Sequence, residues 1–377
     1  MLIDDSLTLY EFCDQLRSAP YISVDTEFMR EKTYDPRLCP VQVAYGEHAA
    51  AIDPLADGMD LTPLKDLLRD PKIVKVLHAA DQDLEIFLNM LEEVPGPIFD
   101  TQIAAAVCGM GEQPGYAKVV EHILGIQIDK SSQLTDWSIR PLSDRQVKYA
   151  IGDVTHLCHI YESLSEQLEK TGRTSWIASD MEKLLEPSRY RTDPKDAYRR
   201  VKIRRPKRKT LAVLREVASW RERRAQERNI PRKWVAPDEA LAEIAHNTPK
   251  TPKELGRVRK LNARGRDAQD ILDAVQRGLS SPPDSWPPLP AKKEYVNADD
   301  SLVALLQALL RLRCEAHGVA MKLVANRSDL EKLAGQKKPD VPAMHGWRRE
   351  VFGDDALALL RGELALTGRK GKVITLD

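Results

Sequence analysis

The stretch Tyr21-Ile-Ser-Val-Asp-Thr-Glu-Phe28 constrains this chain more than any other. Ile22 and Val24 alternate with Ser23 and Asp25, which is the two-residue period of a strand entering a core. The same period puts Asp25 and Glu27 on one face. Two carboxylates side by side repel, and burying both is costly unless a cation lies between them. A hard divalent ion, Mg²⁺ or Mn²⁺, removes that cost because it prefers oxygen ligands. Taken alone, the pair reads more simply as a solvent-exposed strand end, so the metal reading needs partners elsewhere.

Those partners occur further along. Ile73-Val-Lys-Val-Leu77 reads as a second strand, and His78-Ala-Ala-Asp-Gln-Asp83 opens a helix after it. Tyr149-Ala-Ile-Gly-Asp153 places a phenol and a carboxylate four residues apart, on one helix face. Each has a bland alternative. Asp83 fits a carboxylate satisfying a helix N-terminus, and Asp81 competes with it for the inward position. Tyr149 alone fits a half-buried packing residue. His156 and His159, three apart on the same helix, invite a zinc reading but lack a third ligand nearby.

Taken in order, Asp-Thr-Glu-Phe, His-x4-Asp and Tyr-x3-Asp are similar to the three exonuclease motifs of the DEDD superfamily, in its tyrosine-containing branch. Asp136-Trp-Ser-Ile-Arg140-Pro-Leu resembles the ribonuclease D family in particular. The resemblance implies an α/β ribonuclease-H-like exonuclease domain with a βββαβα core, followed by two all-α HRDC-like domains. It also implies two divalent metal ions, Mg²⁺ or Mn²⁺, held by Asp25, Glu27, Asp83 and Asp153. Asp25 would bridge both ions, Glu27 and Asp153 would hold the water-activating one, and Asp83 would act through the water shell of the other. Tyr149 would orient the attacking water and accept its proton. Phe28 and His78 would lie near the substrate terminus. Trp137 and Arg140 would either contact the substrate strand or lock a loop against the long helix.

The activity implied is a 3′→5′ exoribonuclease that releases 5′-mononucleotides, with RNA as partner and the 3′ trailers of transfer RNA precursors as substrate. Two rivals remain. One is a DNA 3′→5′ exonuclease, since carboxylates do not tell ribose from deoxyribose. The other is a catalytically silent RNA-binding protein, against which all four carboxylates and the tyrosine are present. No Walker-type phosphate loop occurs, because Gly368-Arg-Lys-Gly-Lys-Val-Ile lacks the spacing and the Ser/Thr.

Charge divides the 377 residues in two. Residues 1–188 hold 16 Lys and Arg against 32 Asp and Glu, a net −16, and residues 189–377 hold the remaining 41 and 25, a net +16. The acidic half suits cation binding and the basic half a polyanion. The basic half also repeats itself. Trp220–Val235 aligns with Leu309–Val324 and Leu241–Ala245 with Leu330–Ala334, both at an offset of 89, and Gly265–Ala268 aligns with Gly353–Ala356 after a one-residue slip. These units resemble the HRDC domain. The expected organisation is an exonuclease domain at 1–188, a basic linker at 189–209, an HRDC domain at 210–280, a proline-rich connector at 281–295, and a divergent HRDC-like domain at 296–377.

Local expectations follow the same rules. Ser6 to Arg17 reads as a helix with Leu7, Tyr10, Phe12 and Leu16 inward. Pro36 and Pro40 punctuate a loop ahead of strands at 41–45 and 49–53. Asp100-Thr101 reads as a capped helix start. Ser143 and Gln146 form a capping box for the helix carrying Asp153, in which Val147, Ile151, Val154 and Leu157 form an apolar stripe that aims Tyr149 and Asp153 elsewhere. Five scattered cysteines with no Cys-x-x-Cys suit a reducing compartment. The acidic N-terminus lacks a secretory n-region and no apolar run is of membrane-spanning length. The expectation is a soluble, cytoplasmic protein with no membrane association and no obligate protein partner.

Overall fold

The strand beginning at Tyr21 is the middle of the N-terminal sheet. The computed structural model describes residues 1–290 and 296–376. In chain order the N-terminal elements are β1 (Leu2–Ile3), α1 (Ser6–Leu16), β2 (Tyr21–Met29), β3 (Arg37–Tyr45), β4 (His48–Ile52), α2 (Thr62–Arg69), β5 (Val74–Leu77), α3 (Asp81–Leu91), β6 (Ile98–Asp100), α4 (Thr101–Val107), α5 (Tyr116–Leu124), α6 (Asp144–Lys170) and α7 (Thr174–Leu184). The sheet order is β1-β4-β3-β2-β5-β6. The hairpins β2–β3 and β3–β4 are antiparallel, and β2–β5, β5–β6 and β1–β4 are parallel. The βββαβα core expected above is therefore present, extended by a short strand at each edge.

Being central, β2 is covered on both faces. Ile22 and Val24 join the main core with Val41, Leu64, Leu84 and Phe87. Tyr21 and Ser23 face α6, against Val154, Leu157 and Cys158. The Ser23 hydroxyl lies 2.8 Å from the Val154 carbonyl, and the Tyr21 hydroxyl donates to Glu162 at 2.6 Å. Asp25 and Glu27 continue that α6-facing side, so the strand period aims both carboxylates at the helix.

Three local expectations are corrected. In α1 the buried positions are Leu9, Phe12, Cys13 and Leu16, while Leu7 and Tyr10 are exposed. The first set has the i, i+3, i+4, i+7 spacing that one helical face requires. Pro40 does not end a loop; it lies inside β3, where the register against β2 slips between Thr26 and Phe28. A bulge is where a strand tolerates a residue without an N–H. In α6 the buried face runs through Ala150, Asp153, Val154 and Leu157. Asp153 thus lies among the stripe residues instead of pointing away from them.

The C-terminal half is built of two units with the same element order. The first has α8 (Arg208–Arg228), α9 (Arg232–Val235), α10 (Asp238–Asn247), α11 (Pro252–Leu255) and α12 (Arg266–Ser280). The second has α13 (Asp300–His317), α14 (Met321–Val324), α15 (Arg327–Gly335), and α16 (Gly346–Arg348) running through a π-helical turn into α17 (Asp354–Arg361). The left-handed caps Asn229 and Gly318, which end the long helix of each unit, are 89 residues apart. The Gly368-Arg-Lys-Gly-Lys motif is the turn of a hairpin between β7 (Ala365–Arg369) and β8 (Lys372–Leu376).

The units attach differently. The first has its own core of Leu214, Val217, Leu241 and Ile271, into which the linker residues Ala197 and Val201 pack. The core of the second, around Leu306, Leu310 and Phe352, is continuous with that of the N-terminal domain. Trp176 of α7 stacks on Trp347 at 4.5 Å with an interplanar angle of 2°, and Arg348 pairs with Asp180 at 3.0 Å. Gly109 lies so close to Gly318 that a Cβ there would meet its carbonyl oxygen at 2.5 Å. Of the proline-rich connector, Trp286 donates to Ser281 and Arg208 donates to the Trp286 carbonyl; residues 291–295 lie outside the described part. Among the described residues no helix is long and apolar enough to cross a membrane.

Lys75 tests this arrangement. It is fully buried in β5, and its ammonium donates to the carbonyls of Asp70, Ile73 and Gly96 at 2.9, 2.8 and 2.5 Å. Lys75→Met keeps the stem and strands three acceptors. Urea unfolding should show a loss of about 2–4 kcal/mol from the N-terminal domain; an unchanged midpoint would contradict the assigned role.

Candidate active site

Asp25, Glu27 and Asp153 meet at the end of β2 closest to the start of α6. Ligand oxygens of the three lie within 4.8 Å of one another, and this is the one such His/Cys/Asp/Glu cluster among the described residues. The alignment of α6 with β2 produces it. Going along β2 from Tyr21 to Asp25, the partner on α6 moves back from Glu162 to Asp153. Four strand steps span ~13 Å and nine helical steps ~13.5 Å, so the two elements stay in register over the whole contact. The capping box at Ser143 and Gln146 fixes where α6 begins.

Asp83 reaches the same place from α3, on the opposite face of β2. Its Oδ1 accepts a hydrogen bond from Thr26 Oγ1 at 2.5 Å, and the residue is buried. Asp81 is turned outward, where Arg189 of the linker binds it through two hydrogen bonds of 2.6 and 2.8 Å. Residues two apart on a helix differ by about 200°, so only one of this pair can face the strand.

Burial and mutual repulsion push these carboxylates toward protonation. Burial, and then the charges of Asp25, Asp153 and Asp83, push Glu27 up to about 9. Burial and the neighbouring Asp25 push Asp153 up to about 8. Asp25 and Asp83 are also raised, mainly by burial. The Tyr149 hydroxyl lies against Asp153, and burial followed by that charge raises it well above an ordinary phenol. A donor set of oxygens alone, half-buried to buried and without a protein cation among them, fits a hard divalent ion.

The other expected residues surround this cluster. Trp137 is buried, with its ring 6.1 Å from that of Tyr149. Arg140 is committed to Asp53 through both guanidinium edges, one of them at 2.6 Å, and donates to the Trp137 carbonyl at 2.7 Å. These contacts tie the loop to Asp53 and place the Trp137 ring beside Tyr149. His78 is half-buried, with Nδ1 2.9 Å from Thr101 Oγ1 and its ring 5.3 Å from Tyr116. Phe28 is half-buried at the end of β2, opposite Leu38. The pair His156 and His159 has no third ligand among the described residues.

Three supporting residues were not anticipated for the site. Tyr116 donates its hydroxyl to the backbone carbonyl of Asp153. Thr26, between the two motif carboxylates, holds Asp83. Asp100 caps α4 and also accepts from the amides of Ala79 and Ala80 at 3.2 and 2.9 Å, holding Ala79 at φ +56°. Its cap pattern was readable; its second duty across the β5–α3 turn was not.

The chain is similar to known proteins over nearly its whole length. Residues 1–169 match the family model for a 3′–5′ exonuclease, and residues 210–275 that of the HRDC domain. Ribonuclease D of Granulibacter bethesdensis is 45% identical over an alignment of 380 residues, gaps included, that covers 99% of this chain and 96% of that protein. Ribonuclease D of Sphingobium indicum is 44% identical over 378 residues, covering 99% and 97%. The crystal structure of Escherichia coli RNase D, described as an exoribonuclease involved in structured RNA processing, matches with a TM-score of 0.77 at 33% identity, over 96% of this chain and 98% of that one. The chain belongs to the ribonuclease D family of 3′→5′ exoribonucleases, with an exonuclease domain in its N-terminal half and an HRDC domain after it.

Proposed function

We propose that this chain shortens structured RNA, with transfer RNA precursors as its substrate class, one 5′-mononucleotide at a time and in the cytoplasm. The observation that carries the reading is the uncompensated cluster of half-buried Asp25 and Glu27 with buried Asp153, and buried Asp83 beside it. These residues would hold two divalent ions, Mg²⁺ or Mn²⁺. When bound, such a pair supplies the charge that activates a water and stabilises the leaving oxygen of an in-line displacement. The protein's own contribution is positional. β2 and α6 fix three carboxylates from two faces of one contact, and Thr26 fixes the fourth. Tyr149, kept as a neutral phenol by burial and then by its carboxylate neighbour, orients the attacking water. The second helical unit, which repeats the element order of the first, is read as a divergent HRDC-like copy. The two units and the basic linker supply positive charge for the RNA body.

A digestion time course with 3′-labelled and 5′-labelled RNA tests the direction and product. The 3′ label should leave first as a mononucleotide, and the 5′-labelled body should shorten stepwise; a matched DNA oligonucleotide separates the sugar preference. Asp25→Asn and Asp153→Asn should abolish turnover while leaving the fold intact, because the amide keeps the shape of the carboxyl and brings no charge into the cluster. Near-wild-type turnover by either would remove the site assignment.

Tyr149→Phe deletes one hydroxyl and keeps the ring against Trp137. Single-turnover cleavage should slow by about 10²–10⁴-fold with the same metal dependence. An unchanged rate would leave Tyr149 as a packing residue only.

Proton linkage gives an independent check on the cluster. Glu27 and Asp153 have folded values near 9 and 8, above an unfolded carboxyl value of about 4. In the metal-free protein their contribution to stability is present in full below pH ~4 and is lost as pH rises through those folded values. Divalent ions must displace the protons, so apparent affinity should climb between pH 6 and 9. Mn²⁺ titrated into metal-free protein at pH 7, in buffers of different ionisation enthalpy, should release about two protons. Binding without proton release would contradict the buried, protonated state.

A further inference from the structure

Of the six tryptophans, Trp234 is the one with an exposed ring, at 62% of its surface. It stands in α9 on the rim of a cleft of about 1030 Å³, enclosed by the loop after β2, the segment following Pro187, and α9 itself. Bonds across its base hold the walls together. Asn229 accepts from the amides of Tyr34 and Asp35 at 3.0 and 3.1 Å, and the Tyr34 hydroxyl donates to Glu222 at 2.5 Å. The walls differ in charge. Glu31 and Asp35 line the loop side, and Glu85 is neutralised there by Arg30 through bonds of 2.6 and 2.7 Å. On the helical and linker side, Lys233 and Arg200 are exposed and form no ion pair among the described residues, and Asp193 is the one carboxylate lining that side.

The repeat supplies an internal comparison. Leu323 occupies the place of Trp234 in the second unit, 89 residues on, and is half-buried: it packs against the shared core, and Arg348 donates to its carbonyl at 2.7 Å. One copy spends this position on packing, and the other leaves a large aromatic face bare beside two unpaired cations. An aromatic face next to cations suits a nucleobase with its phosphates. Arg30, in the cleft, lies three residues past Glu27, so about 10 Å along the chain separates it from the carboxylates. That is about three stacked nucleotides at ~3.4 Å each. The acidic loop wall would turn the phosphates toward α9.

We propose that this cleft holds a single-stranded segment of the substrate a few nucleotides upstream of the scissile 3′ end, with a base stacked on Trp234 and phosphates on Arg200 and Lys233. The proposal rests on the reading of RNA as substrate and assigns a positioning role, apart from the hydrolytic cluster.

The test uses the full chain and a fluorescent single-stranded RNA of about 12 nucleotides, with binding followed by anisotropy in EDTA to prevent cleavage. Trp234→Ala should weaken binding about 5- to 100-fold, whereas Trp234→Phe, which keeps a stacking face, should lose far less. The double variant Arg200→Ala/Lys233→Ala should reduce the slope of log K against log salt by about 1.4. Turnover of a dinucleotide, too short to reach the cleft, should be unchanged in all three. Wild-type affinity in Trp234→Ala would overturn the proposal, as would equal losses on the dinucleotide and the longer RNA. A wild-type chain that binds the longer RNA in a Trp234-dependent way but never cleaves it would support the cleft and refute the hydrolytic reading.

Discussion

Everything at the site depends on one contact, the packing of α6 along the inner face of β2. Tyr21 with Glu162, Ser23 with Val154, and Asp25 with Asp153 are successive rungs of it. Apolar burial of Val154, Leu157 and Cys158 supplies the attraction that the last rung lacks. At that rung two carboxylates are pressed together, and both are pushed toward protonation by burial. The fold therefore sets up a local conflict and surrounds it with well-packed structure. A buried like-charge cluster held this way is the usual mark of a functional site.

The same logic explains the supporting shell. Tyr116 satisfies the Asp153 carbonyl, Thr26 holds Asp83, and Arg140 ties the loop that carries Trp137 to Asp53. Tyr116 and Arg140 leave the carboxylate charge untouched, and the one hydrogen bond from Thr26 offsets only part of the burial of Asp83. Each fixes a position while leaving the oxygens available for a cation. The C-terminal units divide their labour in a comparable way. The second is fused to the N-terminal domain through Trp176, Trp347 and a shared core, whereas the first keeps a core of its own and touches the N-terminal domain through the loop holding Tyr34.

Much of this was legible in the sequence because it follows from short-range periodicity. The strand alternation at Tyr21–Glu27, the capping box at Ser143 and the repeat at an offset of 89 all concern residues whose geometry is set by their neighbours. The failures were tertiary. Pro40 read as a loop residue because the bulge that accommodates it exists only when β2 lies alongside. Leu7 and Tyr10 read as core because two apolar faces competed on α1, and only packing against α2 selects one. The stripe on α6 was placed one face off, since nothing local says that a carboxylate can share a buried face with Val154. Tyr116 carried no signal at all: its role depends on a carbonyl 37 residues away.

The central claim is that β2 and α6 together build a seat for divalent cations. Anomalous diffraction from crystals soaked in Mn²⁺ tests it most directly. The account predicts strong anomalous density between the carboxylates of Asp25, Glu27 and Asp153, with a second peak toward Asp83, and loss of the first in Asp153→Asn crystals. Manganese bound elsewhere, with the four carboxylates free of density at saturating metal, would contradict it.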